Sequence, residues 1–126
     1  MSVFYLAGKT HMVEVYGNDK LDLSCCGNAL TPIEPNTVDA AQEKHVPVPT
    51  YDAAKNEVHV SVGSVAHPMT EEHLINWVML VTKRGTQRID LTPTDAPTVT
   101  FRLADGDAPM RVLAYCNLHG LWQAEI

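Results

Sequence analysis

The sequence predicts an all-β protein, and three observations carry that reading. Apolar residues recur at every second position, as in Val58-His59-Val60-Ser61-Val62 and Val99-Thr100-Phe101-Arg102-Leu103, which is the period of a half-buried strand. Clusters of Gly, Pro, Asn and Asp punctuate the chain at roughly 8–12-residue spacing, the interval of short strands in an antiparallel sandwich or barrel. Helix formers gather only in residues 39–44, a stretch too short for more than a turn or two.

The elements follow in order. Residues 12–16 and 21–24 read as strands on either side of the turn Gly17-Asn18-Asp19. Residues 31–37 carry two prolines and no periodicity, so they read as a linker. The boundary therefore falls near residue 36, between a small N-terminal β unit of residues 1–36 and a main domain of residues 37–126. Residues 39–44 read as an ordered loop. Strands are expected at 58–62, 74–82, 88–91, 99–103, 110–116 and 121–126. Between them lie the turns Lys83-Arg84-Gly85, Thr92-Pro93-Thr94-Asp95-Ala96-Pro97 and Asp105-Gly106-Asp107-Ala108-Pro109.

Composition narrows the function. A length of 126 residues with 45% hydrophobic side chains supports one ordinary domain or two small ones with a real core. A formal charge of −6 argues against a basic nucleic-acid binder. The longest wholly apolar run, residues 77–81, falls far short of the roughly 20 residues of a bilayer-spanning helix, so no membrane span is expected. Residues 1–9 lack a basic region followed by a long apolar stretch, no secretory signal is visible, and the expected location is the cytoplasm. The cysteines number three, and Cys25 and Cys26 are adjacent, which disfavours a disulfide framework and favours reduced thiols or metal thiolates.

Six histidines are present, and most stand beside turn-forming residues or proline. Cys116 and His119 have a C-x-x-H spacing, which lets a tight turn offer thiolate and imidazole to one iron, copper or zinc ion. A single histidine in such a setting is more often a surface or hydrogen-bonded residue than a ligand. Three strings together change that balance. E-K-H-V-P-V (43–48), V-G-S-V-A-H-P-M-x-x-x-H (62–73) and Y-C-N-L-H-G-x-W (115–122) resemble, in this order, the superoxide reductase family.

The resemblance spans residues 37–122 and implies an immunoglobulin-like antiparallel β-sandwich carrying one mononuclear iron per chain. It assigns His45, His67, His73 and His119 as four histidine ligands and Cys116 as an axial thiolate. Four neutral imidazoles and one thiolate around Fe(II) leave one net positive charge and an open position opposite Cys116, a combination suited to a small anion such as superoxide. The implied reaction is one-electron reduction of superoxide to hydrogen peroxide, with a rubredoxin-like or other small redox protein as electron donor. The resemblance also places Glu43 and Lys44 on a mobile loop over the open position. Lys44 would attract superoxide and help supply protons, and Glu43 would occupy the open position after turnover; otherwise they are a solvated ion pair. His11 and His59 match no ligand string.

The two-domain members of the family begin with a small β unit whose iron is held by C-x-x-C and a later C-C pair. Cys25-Cys26-Gly27 resembles the later pair, while the C-x-x-C would fall on Leu6 and Lys9. Two thiolates of four are missing, so no iron-tetrathiolate centre is expected. Cys25 and Cys26 then read as relics packing a strand or a subunit contact, the sharper alternative being a zinc site with His11. A homodimer is expected because so small a unit has little core of its own. Two further readings remain open at this point: a non-catalytic electron-transfer module with the same iron, and an immunoglobulin-like binding domain with no metal.

Overall fold

A computed structural model describes residues 2–9 and 11–126. Nearly all regular structure is antiparallel β, and the chain folds as two compact units, the first ending at Glu34 and the second spanning Pro35–Ile126.

In the first unit β1 (Ser2–Ala7) lies between β2 (His11–Tyr16) and β5 (Thr31–Ile33), and β3 (Ser24–Cys25) and β4 (Asn28–Ala29) form a separate small hairpin. Phe4 and Tyr5 are buried, and the Tyr5 hydroxyl accepts the backbone N–H of Leu21 at 2.7 Å. Two sequence expectations change here. The segment expected as a linker contributes β5, because Thr31 and Ile33 flank a proline that pairs on the sheet edge, where its missing N–H is tolerated. Residues 21–23 are not a strand. Leu21 is exposed, and pairing begins only at Ser24, beside the hairpin turn.

The second unit is a two-layer sandwich. One sheet has the order β10 (Thr98–Arg102), β7 (Glu57–Val62), β6 (Pro47–Asp52). The other has the order β12 (Gly120–Glu125), β11 (Pro109–Cys116), β8 (Ile75–Thr82), β9 (Thr86–Asp90). Val58, Val60, Val62 and Phe101 from the first sheet pack with Ile75, Val78, Leu80, Val112 and Ala114 from the second. Strand β7 alternates buried and exposed residues as its sequence predicts, whereas β8 is buried along most of its length because it is central in its sheet.

Strand β6 was not expected, since Pro47 and Pro49 interrupt its pattern. It is the edge strand of its sheet, where proline costs no ladder bond that a neighbour would make. Residues 42–45 form one helical turn, α1 (Gln42–His45), at the end of the expected loop. Among the described residues no helix is long and apolar enough to cross a membrane.

Candidate metal centre

The metal-capable side chains singled out in the sequence gather at one end of the sandwich. His45 ends α1, immediately before β6. His67 follows the turn after β7, with its N–H donating to the Val62 carbonyl at 3.1 Å. His73 lies two residues before β8, Cys116 ends β11, and His119 lies in the turn to β12. Strand register explains the meeting: Pro47 pairs with Val62, and Cys116 pairs with both Gly120 and Ile75. Between Tyr115 and Cys116 the pairing with β8 skips Asn76, so a bulge ends the ladder where the cysteine is presented.

Ligand atoms of His45, His73, Cys116 and His119 all lie within 4.8 Å of one another. His67 joins them, with Nε2 3.2 Å from His45 Nε2. His45 Nε2 is also 3.1 Å from His119 Nδ1, and Cys116 Sγ is 3.9 Å from the same nitrogen. The four imidazoles close a circuit in which each meets its neighbours edge to face, at centroid distances of 4.7, 4.6, 5.1 and 4.8 Å in the order His45, His67, His73, His119, His45. His45 and His67 are buried, Cys116 is fully buried, and His73 and His119 are half-buried.

Hydrogen bonds outside the cluster settle which nitrogens face inward. His45 Nδ1 lies 2.7 Å from the Ala41 carbonyl, and His67 Nδ1 lies 2.7 Å from the Pro68 carbonyl. A carbonyl only accepts, so each Nδ1 carries the proton and each Nε2 turns a lone pair into the cluster. Two lone pairs at 3.2 Å repel unless a cation or proton lies between them. His73 Nε2 is buried without a hydrogen-bond partner, which burial makes unfavourable unless something accepts its lone pair.

Burial lowers the pKa of His45, His67 and His73. His67 is pushed down to about 4, the carbonyl of Pro68 opposing and the neighbouring imidazoles reinforcing the shift. Neutral imidazole, the metal-binding form, is thereby favoured. Burial pushes the Cys116 thiol up, against the pull of N–H groups from Leu118 and His119 directed at its sulfur. A cation would reverse the first effect, and those N–H donors would stabilise the resulting thiolate. The donor set, the convergent lone pairs and the orphaned nitrogen all fit a soft-to-borderline transition metal.

Several residues outside the five brace or border the site. The Asn117 amide donates to the Glu72 carbonyl at 2.9 Å and accepts the Leu74 N–H at 3.0 Å, gripping the chain on both sides of His73. Trp122 stacks on His45 at 5.0 Å and donates its indole N–H to the His119 carbonyl at 3.0 Å. Glu43 and Lys44 are exposed on α1, next to His45. The Lys44 charge opposes protonation of both His45 and His73, and Glu43 favours it at His45. Both backbone carbonyls stand over Gly63, whose φ is +83°.

The remaining singled-out residues lie elsewhere. His59 is on the exposed face of β7, bonded to Thr100 and Glu57. Cys25 and Cys26 are exposed free thiols, so neither packs into a strand interior, which leaves the subunit contact as the other half of the relic reading. Among the described residues, no cluster of three metal-capable side chains joins them to His11.

A family model described as Desulfoferrodoxin matches residues 37–125. The chain is 45% identical over 115 residues to a desulfoferrodoxin of Syntrophotalea carbinolica, covering 91% of this chain and 88% of that one. It is 36% identical over 99 residues to a superoxide reductase of Pyrococcus horikoshii, covering 67% and 86%. The crystal structure of the superoxide reductase from Treponema pallidum superposes with a TM-score of 0.83 at 40% identity, covering 98% of both chains.

Proposed function

The chain belongs to the desulfoferrodoxin family, and from that premise we propose that it is a superoxide reductase, converting superoxide to hydrogen peroxide with one electron and two protons. The observation that carries the reading is the convergence of His45 Nε2, His67 Nε2 and His119 Nδ1 beside the unpartnered Nε2 of His73 and the buried sulfur of Cys116. These five side chains would hold one iron. When bound, that iron supplies the single electron, and the Cys116 thiolate favours its transfer by donating charge.

The chain's own residues do the rest. The Ala41 and Pro68 carbonyls hold two imidazoles in the tautomer that points a lone pair inward. Trp122 covers a face of His45 and keeps water from it. Lys44 steers superoxide to an otherwise acidic protein and holds proton-bearing water near the site; its charge acting at both His45 and His73 supports that placement. Glu43, one residue before Lys44, takes the place of the departing product.

Residues 1–36 are read as a degenerate desulforedoxin-like unit without an iron-tetrathiolate, and residues 37–126 as the reductase domain. Leu6 and Lys9, standing where thiolates would be needed, support this. The electron donor is a rubredoxin-like small redox protein, the compartment is the cytoplasm, and the chain pairs as a homodimer. Among the described residues of the first unit, Phe4 and Tyr5 are the buried large hydrophobics, a core small enough to favour a partner.

Superoxide decay by the reduced, iron-loaded protein tests the function, with peroxide and dioxygen measured together. One peroxide per superoxide consumed, without dioxygen, is expected. Release of dioxygen, or decay no faster than spontaneous dismutation, overturns it.

A further inference from the structure

The two thiols outside the metal centre sit together at a hairpin tip. Cys25 pairs with Asn28, so Cys26 and Gly27 are the two turn residues, at φ of +54° and +81°. Positive φ at both positions is a type I′ turn, whose first position favours Asn, Asp or Gly over a β-carbon as bulky as that of cysteine. Both thiols are free and exposed, with their sulfurs 3.5 Å apart. The hairpin closes below them through Leu30 N–H to the Leu23 carbonyl at 2.8 Å.

That separation is a direct thiol–thiol contact which a single bridging atom can span. An atom bonded to both sulfurs at about 2.3 Å spans the observed gap with an S–X–S angle of roughly 100°. A linear two-coordinate cation would need sulfurs about 4.6 Å apart, and a tetrahedral one about 3.8 Å with two further ligands. Among the described residues no cluster of three metal-capable side chains includes this pair. An angle near 100° is that of a pyramidal trivalent centre with a lone pair. We propose that Cys25 and Cys26 form a chelating site for trivalent arsenic compounds.

The chemistry balances without an oxidant. With phenylarsine oxide, two S–H bonds and the As–O bond break, two As–S bonds form, the oxygen leaves as water with both protons, and arsenic stays trivalent. The second bond closes within one molecule, so its effective concentration exceeds that of any free monothiol.

The test titrates phenylarsine oxide into the full-length, iron-loaded, reduced protein, followed by iodoacetamide alkylation and peptide mass mapping. One arsenical per chain is expected, with Cys25 and Cys26 both protected, the adduct surviving excess glutathione and released by dithiothreitol. Iron content and visible spectrum stay unchanged, because Cys116 takes no part. Cys25→Ser and Cys26→Asn, the latter suited to the turn, each weaken binding by roughly a hundredfold or more. An arsenical that leaves both cysteines open to alkylation overturns the proposal, as do single variants that bind like wild type or an adduct that forms only with loss of iron.

Discussion

Asn117 holds the histidine cluster together from outside it. Its side chain bonds the backbone at Glu72 and Leu74, and its own N–H donates to the Leu74 carbonyl at 3.2 Å, so the segment carrying His73 is tied to the Cys116–His119 turn. Asn117→Ala removes two side-chain bonds of about 1 kcal/mol each. Iron loss to a chelator should then speed up by roughly tenfold or more, while the far-ultraviolet dichroism stays that of the wild type. An unaltered rate of loss would show that the strap is dispensable. Glu43 and Lys44 should fail differently. Lys44→Ala should lower the second-order rate with superoxide by roughly tenfold and flatten its salt dependence. Glu43→Ala should leave that rate intact and shift only the spectrum of the oxidised protein. Stopped-flow traces at two ionic strengths separate the pair.

At the scale of elements, the ends of the sandwich do different work. At the metal end, a β-carbon on Gly63 would stand 2.3 Å from the Val65 carbonyl, 2.6 Å from that of Lys44 and 2.7 Å from that of Glu43. All three contacts are backbone, and φ is +83°, so Gly63→Ala must move the turn that receives α1. It should destabilise by about 1–3 kcal/mol and alter the spectrum of the metal centre through His45, both readable in one thermal melt followed in the visible. At the far end, Thr82 Oγ1 donates to Asp107 at 2.6 Å, joining the end of β8 to the loop before β11. That bond, first among its causes, holds the Asp107 carboxyl below its usual range. A carboxylate depressed in the folded state stabilises above its unfolded pKa and loses that contribution as pH falls through the folded value. Asp107→Asn should therefore lower the urea midpoint at pH 7, and its gap from wild type should narrow as pH falls through and below the ordinary carboxylate range. A gap that persists in acid would point to packing instead.

For the whole molecule, the distribution of thiols sets the metal count. Among the described residues, only the second unit concentrates imidazoles and a buried thiol, whereas the first offers two exposed thiols. One iron per chain is expected from elemental analysis, without the red colour of an iron-tetrathiolate. Two irons would mean that the first unit holds a centre after all. Because the five side chains come from α1, the turn after β7, the segment before β8 and the β11–β12 turn, iron ties together elements that the unfolded chain leaves apart. Ligand binding at a hundredfold excess over Kd adds about 3 kcal/mol, so removing iron should lower the melting temperature by roughly 10 °C. An unchanged melt would show that the protein's fold is indifferent to the metal.

Strands whose pattern is local were legible in the sequence. β7 and β10 alternate because each has one face on the core, and that alternation is written residue by residue. The side chains that converge were pointed to as well, through the resemblance of three strings taken together and not through the setting of any single residue. Other features depended on backbone partners rather than on side-chain pattern. β1 is apolar without alternation and becomes a strand by pairing with β2 and β5. β6 carries two prolines and is a strand only because it lies on an edge. The tautomers of His45 and His67 are set by the Ala41 and Pro68 carbonyls, backbone groups that every residue possesses and that no side-chain pattern reports. Local periodicity determined strands such as β7 and β10, and the resemblance carried by three strings pointed to the side chains that bear the chemistry. Only tertiary packing brought the rings together, since His45 and His119, 74 residues apart in the chain, meet at 3.1 Å once the sheets have closed.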